Sequence, residues 1–274
     1  MLGAPLLVET DDARMGDFVA LFWEPFLTKE RDAHGGRFLV ETGDGRWRLR
    51  WGPEAEMRAG AIDPWVFGVV LRNNLTIAAV AAARSTMIPL HASVAERDGM
   101  VLVLSGPPEA GKTTLLLELL GRGWNYVSDD LAPIRRADGD AVAFPKSLQV
   151  RDVARWQEWA HAWRVPSWLP PPATTSLIPG GAFTRSTVEA YRPGLLIFSR
   201  YVSGQSPSLQ RLSAAEAVGL AVDNLQDLAP AKPSDLAVVT TWIAGVPSFR
   251  MIYGDTHDGL ALLDRALHGQ QKLE

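Results

Sequence analysis

The residues with the clearest chemical potential are Gly106–Thr113, which read Gly-Pro-Pro-Glu-Ala-Gly-Lys-Thr. Two glycines at this spacing let the backbone wrap around a polyphosphate and turn its N–H groups inward. The pattern follows the apolar run 101–104 and precedes the leucine-rich run 114–120. These flanks predict a strand before the loop and a helix after it, whose N-terminus adds partial positive charge. The sequence therefore predicts a nucleotide-binding loop.

The positions of this loop have separate expected roles. Lys112 is expected to reach the β- and γ-phosphates and to take part in catalysis, and the Thr113 hydroxyl is expected to ligate Mg²⁺. The expected cofactors are therefore ATP or GTP, between which the sequence does not choose, and Mg²⁺. The expected nucleotide contacts are Gly106, Pro107, Pro108, Glu109, Ala110, Gly111, Lys112, Thr113 and Thr114.

Two adjacent carboxylates, Asp129 and Asp130, follow soon after this loop, at the end of a predicted strand over 124–127. Ligands of α/β sheets bind at the carboxyl ends of strands, so this end should lie beside the phosphates. One carboxylate would hold the metal, and the other would accept the proton of an attacking hydroxyl. Both are candidate catalytic residues, because the sequence does not divide the two roles. The predicted metal ligands are Thr113 and Asp130.

A histidine, His91, lies one strand before the loop strand, in Leu90-His91-Ala92-Ser93. A neighbouring strand could present its imidazole to an acidic residue and tune the pKa of that residue. A structural or merely exposed histidine is the alternative. We include His91 among the candidate catalytic residues.

The order of these motifs, from His91 through Gly106–Thr113 to Asp129-Asp130, resembles the catalytic core of HPr kinase/phosphorylase and its related kinases. The resemblance implies an α/β fold with a P-loop kinase core, similar to that of nucleotide-dependent phosphoenolpyruvate carboxykinases, in which helices flank a mixed sheet. It also implies ATP-dependent, Mg²⁺-assisted transfer of a phosphoryl group to a serine hydroxyl. By position, the loop binds phosphate and metal, the aspartates supply the base and a metal contact, and His91 lies beside them.

One departure from that family concerns the acceptor. The second signature loop of the bifunctional HPr enzymes, a glutamate flanked by Arg-Gly and aliphatics, is not found, and the corresponding region is the Pro-rich stretch 165–181. The chain resembles more closely the related kinases found beside peptide-modification machinery, including those that phosphorylate the C-terminal serine of lasso-peptide precursors. The implied partner is a serine-bearing peptide or small protein. HPr kinases are hexameric, so a homo-oligomer is compatible with the resemblance.

The composition narrows the kinds of partner, metal site and cellular location that are expected for this chain. The chain has 274 residues with a net charge of −4, so no basic field points to a nucleic-acid partner. The absence of cysteine excludes disulfides, thiolate metal sites and a cysteine nucleophile, and it fits the cytoplasm. The N-terminus lacks a basic segment before its first acids, and the weakly polar stretch 75–83 is too short to span a bilayer. Neither a signal peptide nor a membrane partner is expected.

Two domains are predicted. Residues 1–86 should form a small α+β lobe, and residues 87–274 should form the kinase domain. The lobe should contain a hairpin over 38–51 and a helix that is capped by Asp63 and runs to about Ser85. The buried positions predicted for this helix are Val66, Val69, Val70, Ile77 and Val80.

The predicted kinase domain alternates strands and helices. Segment 236–239 fits either a strand or the end of a helix, and 165–181 is predicted to be a long loop. The other predicted strands are 87–93, 141–144, 195–198 and 248–253, and the other predicted helices are 151–164, 213–222 and 260–267.

Three further residues, Trp163, Lys146 and Arg200, are candidates for substrate binding. The tryptophans of the predicted helix 151–164 share one face, which is either core or an apolar platform for a peptide, with 165–181 as a lid. Lys146 and Arg200 follow strand ends and could stabilise charge on the transferring phosphoryl group, although solvated surface cations are the alternative.

Three functions are compatible with these motifs. The first is a kinase that acts on a serine of a peptide or small protein. The motifs specify only a phosphate and a hydroxyl, so a small-molecule kinase stays open. The third is a nucleotide-binding regulator without phosphotransfer.

Overall fold

The computed structural model describes residue 2 and residues 5–28, 36–51, 57–61, 63–185, 188–226 and 233–270. The strands are β1 Leu7–Thr10, β2 Arg37–Gly43, β3 Arg46–Trp51, β4 Met57–Ala61, β5 Met87–Leu90, β6 Ala92–Arg97, β7 Met100–Ser105, β8 Asn125–Ser128, β9 Ala132–Arg135, β10 Ala141–Val142, β11 Leu148–Val150, β12 Ser176–Ile178, β13 Ala190–Tyr191, β14 Leu195–Tyr201, β15 Ser208–Arg211 and β16 Ser248–Tyr253. The helices are α1 Ala13–Phe22, α2 Pro64–Ala83, α3 Lys112–Gly121, α4 Val153–Trp159, α5 Ala214–Asp223, α6 Pro233–Ala244 and α7 Thr256–Gln270, and short 3-10 helices lie at Glu24–Phe26, Ala160–Ala162 and Gly180–Ala182.

The chain divides into two compact units. The first comprises Met1–Ser85 and Pro145–Thr184, and the second comprises Thr86–Phe144 and Arg185–Glu274. The sequence predicts contiguous domains, whereas the first unit also includes a later segment. This segment packs with the N-terminal residues because β12 contacts α2 and Arg72 Nε donates to the Ser147 carbonyl at 2.8 Å.

The first unit contains a sheet of order β1-β2-β3-β4. Strands β2 and β3 form the predicted hairpin, with Gly43 opposite Arg46. Asp44 and Gly45 turn the chain with φ values of 53° and 71°, as two-residue hairpin loops require. The hairpin prediction is therefore confirmed.

Helix α2 begins as predicted, since the Asp63 carboxylate accepts from the N–H groups of Trp65 and Val66. The prediction of which face of α2 is buried is largely wrong. Val66 and Ile77 are each 40 % exposed, because Trp65, Phe67, Leu71 and Leu75 occupy the core instead. Of the five predicted positions Val80 is buried and Val69 and Val70 are half-buried.

Helix α2 also bears on the expectation that the apolar stretch 75–83 is too short to span a bilayer. The stretch 75–83 is the end of a 20-residue helix with a mean hydropathy of 1.6, long and apolar enough by length and composition to cross a bilayer. Half of its most apolar window is buried inside the structure.

The tryptophans of the segment 145–184 lie in the first unit. Trp156 packs edge-on against Trp65 at 5.5 Å, and Trp163 packs edge-on against Phe22 at 5.5 Å. The predicted helix 151–164 is shorter than expected, since α4 gives way to a 3-10 turn. The prediction that 165–181 is only a loop is wrong, because β12 pairs antiparallel with β11.

The second unit is built on a mixed sheet of order β15-β16-β14-β7-β6-β8. Strands β16, β14 and β7 are parallel, while β6 runs antiparallel between β7 and β8. The carboxyl ends of β7 and β8 therefore lie at the same edge of the sheet, with the start of β6 between them. The predicted α/β class with a mixed sheet is confirmed.

Helices and a second sheet cover this mixed sheet. One face packs against α5, α6 and the small sheet β13-β10-β9-β5, with Val103, Phe198, Ala217 and Trp242 in the shared core. Helix α3 contacts β6 and α7 contacts β16. The predicted capping box at Ser213 is present, and the ambiguous segment 236–239 is helical.

We expect one ion pair to hold α6 in place. Arg136 Nη2 lies 2.5 Å from Asp235 Oδ1, and Asp235 is fully buried. Asp235→Asn should lower the free energy of unfolding by about 3 kcal/mol, since it removes the buried negative charge that this guanidinium pairs with. Denaturant titration measures this loss. The control is Asp264→Asn, whose pair with Arg122 is solvated and should change stability by less than about 1 kcal/mol. Equal effects would contradict the expectation.

Candidate active site

The loop between β7 and α3, residues Gly106–Gly111, is called the glycine loop below. Gly106 has a φ of 151° and Gly111 has a φ of 81°, values that side chains disfavour. A Cβ on Gly106 would clash with the Ser199 carbonyl oxygen, and one on Gly111 would clash with the Tyr253 hydroxyl. The predicted order of strand, loop and helix is present, and the packing of this loop requires both glycines.

Adding a methyl group at Gly106 tests that packing. Gly106→Ala should lower the free energy of unfolding by about 2 kcal/mol, because the new Cβ meets the backbone of β14. The matched control is Gly219→Ala in α5, where a Cβ meets nothing within 4 Å and alanine favours the helix by up to about 1 kcal/mol. Urea titration compares the two. Equal stability of both variants would show that the loop tolerates side chains.

Lys112, the first residue of α3, is 6 % exposed and folds back over the glycine loop. Its Nζ donates to the carbonyl oxygens of Gly106 and Pro107 at 2.8 and 2.9 Å. Burial lowers the pKa of Lys112 below 10.5, and the nearby carboxylates of Asp129 and Asp130 partly oppose that shift. Any further negative charge at the loop would therefore stabilise the charged form of Lys112.

This lowered pKa predicts how nucleotide binding depends on pH. Bound phosphates would favour the charged ammonium, so binding raises the pKa of Lys112. Binding should then take up protons at alkaline pH, and affinity should fall as the pH rises through the lowered pKa. Calorimetry in buffers of different ionisation enthalpy measures the uptake. Lys112→Arg is the control, since a guanidinium does not titrate there; uptake that persists in it would contradict the assignment.

Asp129 follows β8 directly and is 1 % exposed. The Ser93 hydroxyl donates to its Oδ1 at 2.5 Å. The Thr113 hydroxyl, in the first turn of α3, lies 3.0 Å from Oδ2 and 3.2 Å from Oδ1. Strand β6 therefore supports this carboxylate on one side, and the helix that follows the glycine loop meets it on the other.

Asp130 differs from Asp129 in exposure and in partners. Its side chain is 45 % exposed, and its Oδ1 lies 3.3 Å from His91 Nε2. Its backbone is left-handed, with φ of 64°, and its carbonyl accepts from Gln226 Nε2 at 2.6 Å. Asn224 accepts from the His91 N–H at 2.8 Å, so the segment after α5 holds both members of the pair.

The sheet order explains why these groups meet. Because β6 lies between β7 and β8, the residues at its start lie between the glycine loop and the aspartates. His91 faces Asp130, and Ser93 faces Asp129. The expectation that a neighbouring strand presents His91 to an acidic residue agrees with this geometry.

Three residues of the site carry no motif signal. Ser93 could have been noticed as a polar residue inside an apolar strand, and it proves to be fully buried. Gln226 has no local signal, since it reaches Asp130 only through the fold. Tyr253 ends β16, and its hydroxyl donates to the Ala110 carbonyl at 3.0 Å, which ties the glycine loop to that strand.

The structure does not bring together all the residues that the sequence predicts to bind metal and substrate. The carboxylate in contact with Thr113 is that of Asp129, whereas Asp130 contacts His91. Lys146 and Trp163 belong to the first compact unit, where Lys146 is 1 % exposed and not a solvated surface cation. Arg200 lies near the end of β14 in the second unit and is exposed.

The donors around Thr113 suit a hard cation. Mg²⁺ in nucleotide sites takes one or two protein oxygens and fills its other positions with water and phosphate. The Thr113 hydroxyl and the Asp129 carboxylate offer such oxygens close to the buried Lys112. Among the described residues no group of three or more histidine, aspartate and glutamate side chains forms a self-sufficient metal cage. The site fits Mg²⁺ only together with a phosphate ligand.

Comparisons with known proteins give a structural likeness. No protein-family model matches the chain, and no curated protein matches it. Among solved structures, the chain is similar to the Hpr(Ser) kinase/phosphatase from Coxiella burnetii, with 14 % sequence identity, a TM-score of 0.35, and coverage of 68 % of this chain and 93 % of that one. At this identity and TM-score the likeness establishes neither family nor function, so function has to be inferred from the site.

Proposed function

We propose that this chain is a nucleotide- and Mg²⁺-dependent kinase that transfers a γ-phosphoryl group to a serine hydroxyl of a peptide or small protein. One observation carries the proposal: Asp130, whose side chain is 45 % exposed and lies 3.3 Å from His91, directly follows the buried Asp129 in contact with Thr113. A buried carboxylate in contact with the first turn of α3 suits a metal ion, and a partly exposed one suits a hydroxyl that arrives from solvent. The motif resemblance to HPr-kinase-related kinases supports a serine acceptor.

In this proposal the glycine loop and α3 bind the nucleotide. The loop N–H groups and the helix N-terminus surround the phosphates. Lys112 exchanges its bonds to the carbonyls of Gly106 and Pro107 for bonds to the β- and γ-phosphates. Thr113 and Asp129 would hold Mg²⁺, which neutralises phosphate charge when it is bound. The metal role thus goes to Asp129 and not, as the sequence predicts, to Asp130.

Asp130 is the proposed base. It accepts the proton of the acceptor hydroxyl while that oxygen attacks the γ-phosphorus. The bond between the γ-phosphorus and the bridging oxygen breaks, and its electron pair stays with the nucleoside diphosphate. His91 Nε2 lies within hydrogen-bonding reach of Oδ1 at 3.3 Å, which orients the carboxylate. Gln226 holds the backbone carbonyl of the same residue.

The acceptor class is tested with two panels. The protein is incubated with ATP, Mg²⁺ and either serine-bearing peptides or hydroxylated metabolites, and products are examined for a mass gain of about 80 Da from one phosphate. We expect phosphoserine in at least one peptide. Phosphorylation confined to metabolites would move the acceptor to small molecules. Tight nucleotide binding without any phosphorylated product would favour a regulatory role.

A further inference from the structure

The positions of the acidic residues fix the direction in which a nucleotide would lie. The transferring phosphoryl group must point towards Asp129 and Asp130, which follow β8. Strand β8 lies on one side of the loop strand β7, and β14 and β16 lie on the other. The base of the nucleotide must therefore extend away from the aspartates, over the carboxyl ends of β14 and β16.

An exposed aromatic residue stands at that place. Tyr201, the last residue of β14, is 44 % exposed, although most aromatic side chains of the second unit are buried. Its Cβ lies 3.7 Å from the position that a Cβ on Gly111 would take, so it adjoins the glycine loop. The next residue, Val202, is 36 % exposed and extends the apolar surface.

The Tyr201 ring packs against Tyr253, the residue that also supports the glycine loop. The two rings meet edge-on with their centroids 5.7 Å apart. Tyr253 is 2 % exposed and donates its hydroxyl to the Ala110 carbonyl at 3.0 Å. Burial, with a smaller contribution from Tyr201, raises the pKa of Tyr253, so its hydroxyl stays protonated and remains a donor. The ring is thus oriented relative to the loop before any ligand binds.

We propose that Tyr201, with Val202, forms the stacking surface for the nucleobase of the nucleoside triphosphate. This inference rests on the proposed function and adds the base subsite to it. Base–aromatic stacking tolerates different bases because each has a π-face. Adenine and guanine nucleotides should therefore both depend on Tyr201, whereas a phosphate chain without a base should not.

The test compares ATP, GTP and inorganic tripolyphosphate, each with Mg²⁺, by calorimetric titration of the full chain. Tyr201→Ala should weaken both nucleotides by about 5- to 100-fold and leave tripolyphosphate affinity unchanged. Tyr201→Phe keeps the ring and should bind like the unaltered protein. Tyr201→Leu keeps an apolar side chain against Tyr253 and should behave like Tyr201→Ala, which guards against a folding defect in the alanine variant. Leu236→Ala, at an exposed position on α6, is the control for loss of surface apolar area.

Two results would overturn the inference. If Tyr201→Ala and Tyr201→Leu bind nucleotides as the unaltered protein does, the base lies elsewhere. If they weaken tripolyphosphate as much as ATP, Tyr201 acts only on the glycine loop through Tyr253. Failure of the proposed function gives different results: the unaltered protein would bind neither nucleotide nor tripolyphosphate, or it would bind nucleotide and phosphorylate no acceptor.

Discussion

Asp130→Asn is expected to slow phosphoryl transfer by about 10²- to 10⁴-fold, the usual contribution of a general base. Nucleotide affinity should stay close to that of the unaltered protein, because the side chain of Asp130 is 45 % exposed and contacts His91, whereas the glycine loop and Thr113 contact other groups. The rate of phosphopeptide formation, together with calorimetric nucleotide affinity, measures both effects.

A companion variant separates the two aspartates. Asp129→Asn should raise the Mg²⁺ concentration needed for half-maximal transfer, since it removes charge from the carboxylate beside Thr113. Asp130→Asn should leave that concentration unchanged. The control is Asp264→Asn on the exposed face of α7. If Asp130→Asn shifts the Mg²⁺ requirement and Asp129→Asn does not, the roles are the reverse of those proposed.

Lys112→Met should lower the transfer rate by about 10²- to 10³-fold, since it deletes a preorganised cation at the developing phosphate charge. Unlike Asp130→Asn, it should also weaken nucleotide binding, because Lys112 is the buried cation at the glycine loop. Methionine keeps much of the side-chain volume, so stability should change little. Transfer rate and nucleotide affinity are measured on the same preparation.

The matched control for Lys112→Met is Arg122→Met. Arg122 follows the last turn of the same helix, and its side chain is 43 % exposed. It should bind nucleotide and transfer phosphate as the unaltered protein does. Equal loss of affinity in both variants would indicate a general electrostatic effect and not a specific contact of Lys112.

The local features of the fold were predictable because they are encoded by neighbouring residues. The loop glycines, the Asp63 cap and the Ser213 capping box each depend on residues within a few positions of one another. The buried face of α2 depends on what packs against it. Valine and isoleucine positions predicted to be core are exposed in part, because Trp65 and Phe67 fill that space.

The sequence predicted which residues form the site, but it did not predict which of them contact one another. The motifs brought His91, Lys112 and both aspartates together, yet they did not show that β6 supports Asp129 through Ser93. Long-range contacts such as the one from Gln226 to Asp130 leave no local pattern, since the two residues are 96 positions apart in the chain. The same reason explains Lys146, which a strand-end pattern suggested as a site residue and which is buried in the first unit.

Asp129 and Asp130 are proposed to carry out transfer of a nucleotide's γ-phosphoryl group to a hydroxyl. The most direct measurement follows phosphoserine formation by mass spectrometry in the acceptor peptide from the panel, with ATP and Mg²⁺, for the unaltered protein and for Asp129→Asn combined with Asp130→Asn. We expect stoichiometric phosphoserine with the unaltered protein and none with the double variant, while the double variant remains folded and still binds nucleotide at its glycine loop. Transfer that survives the double substitution would contradict this proposal.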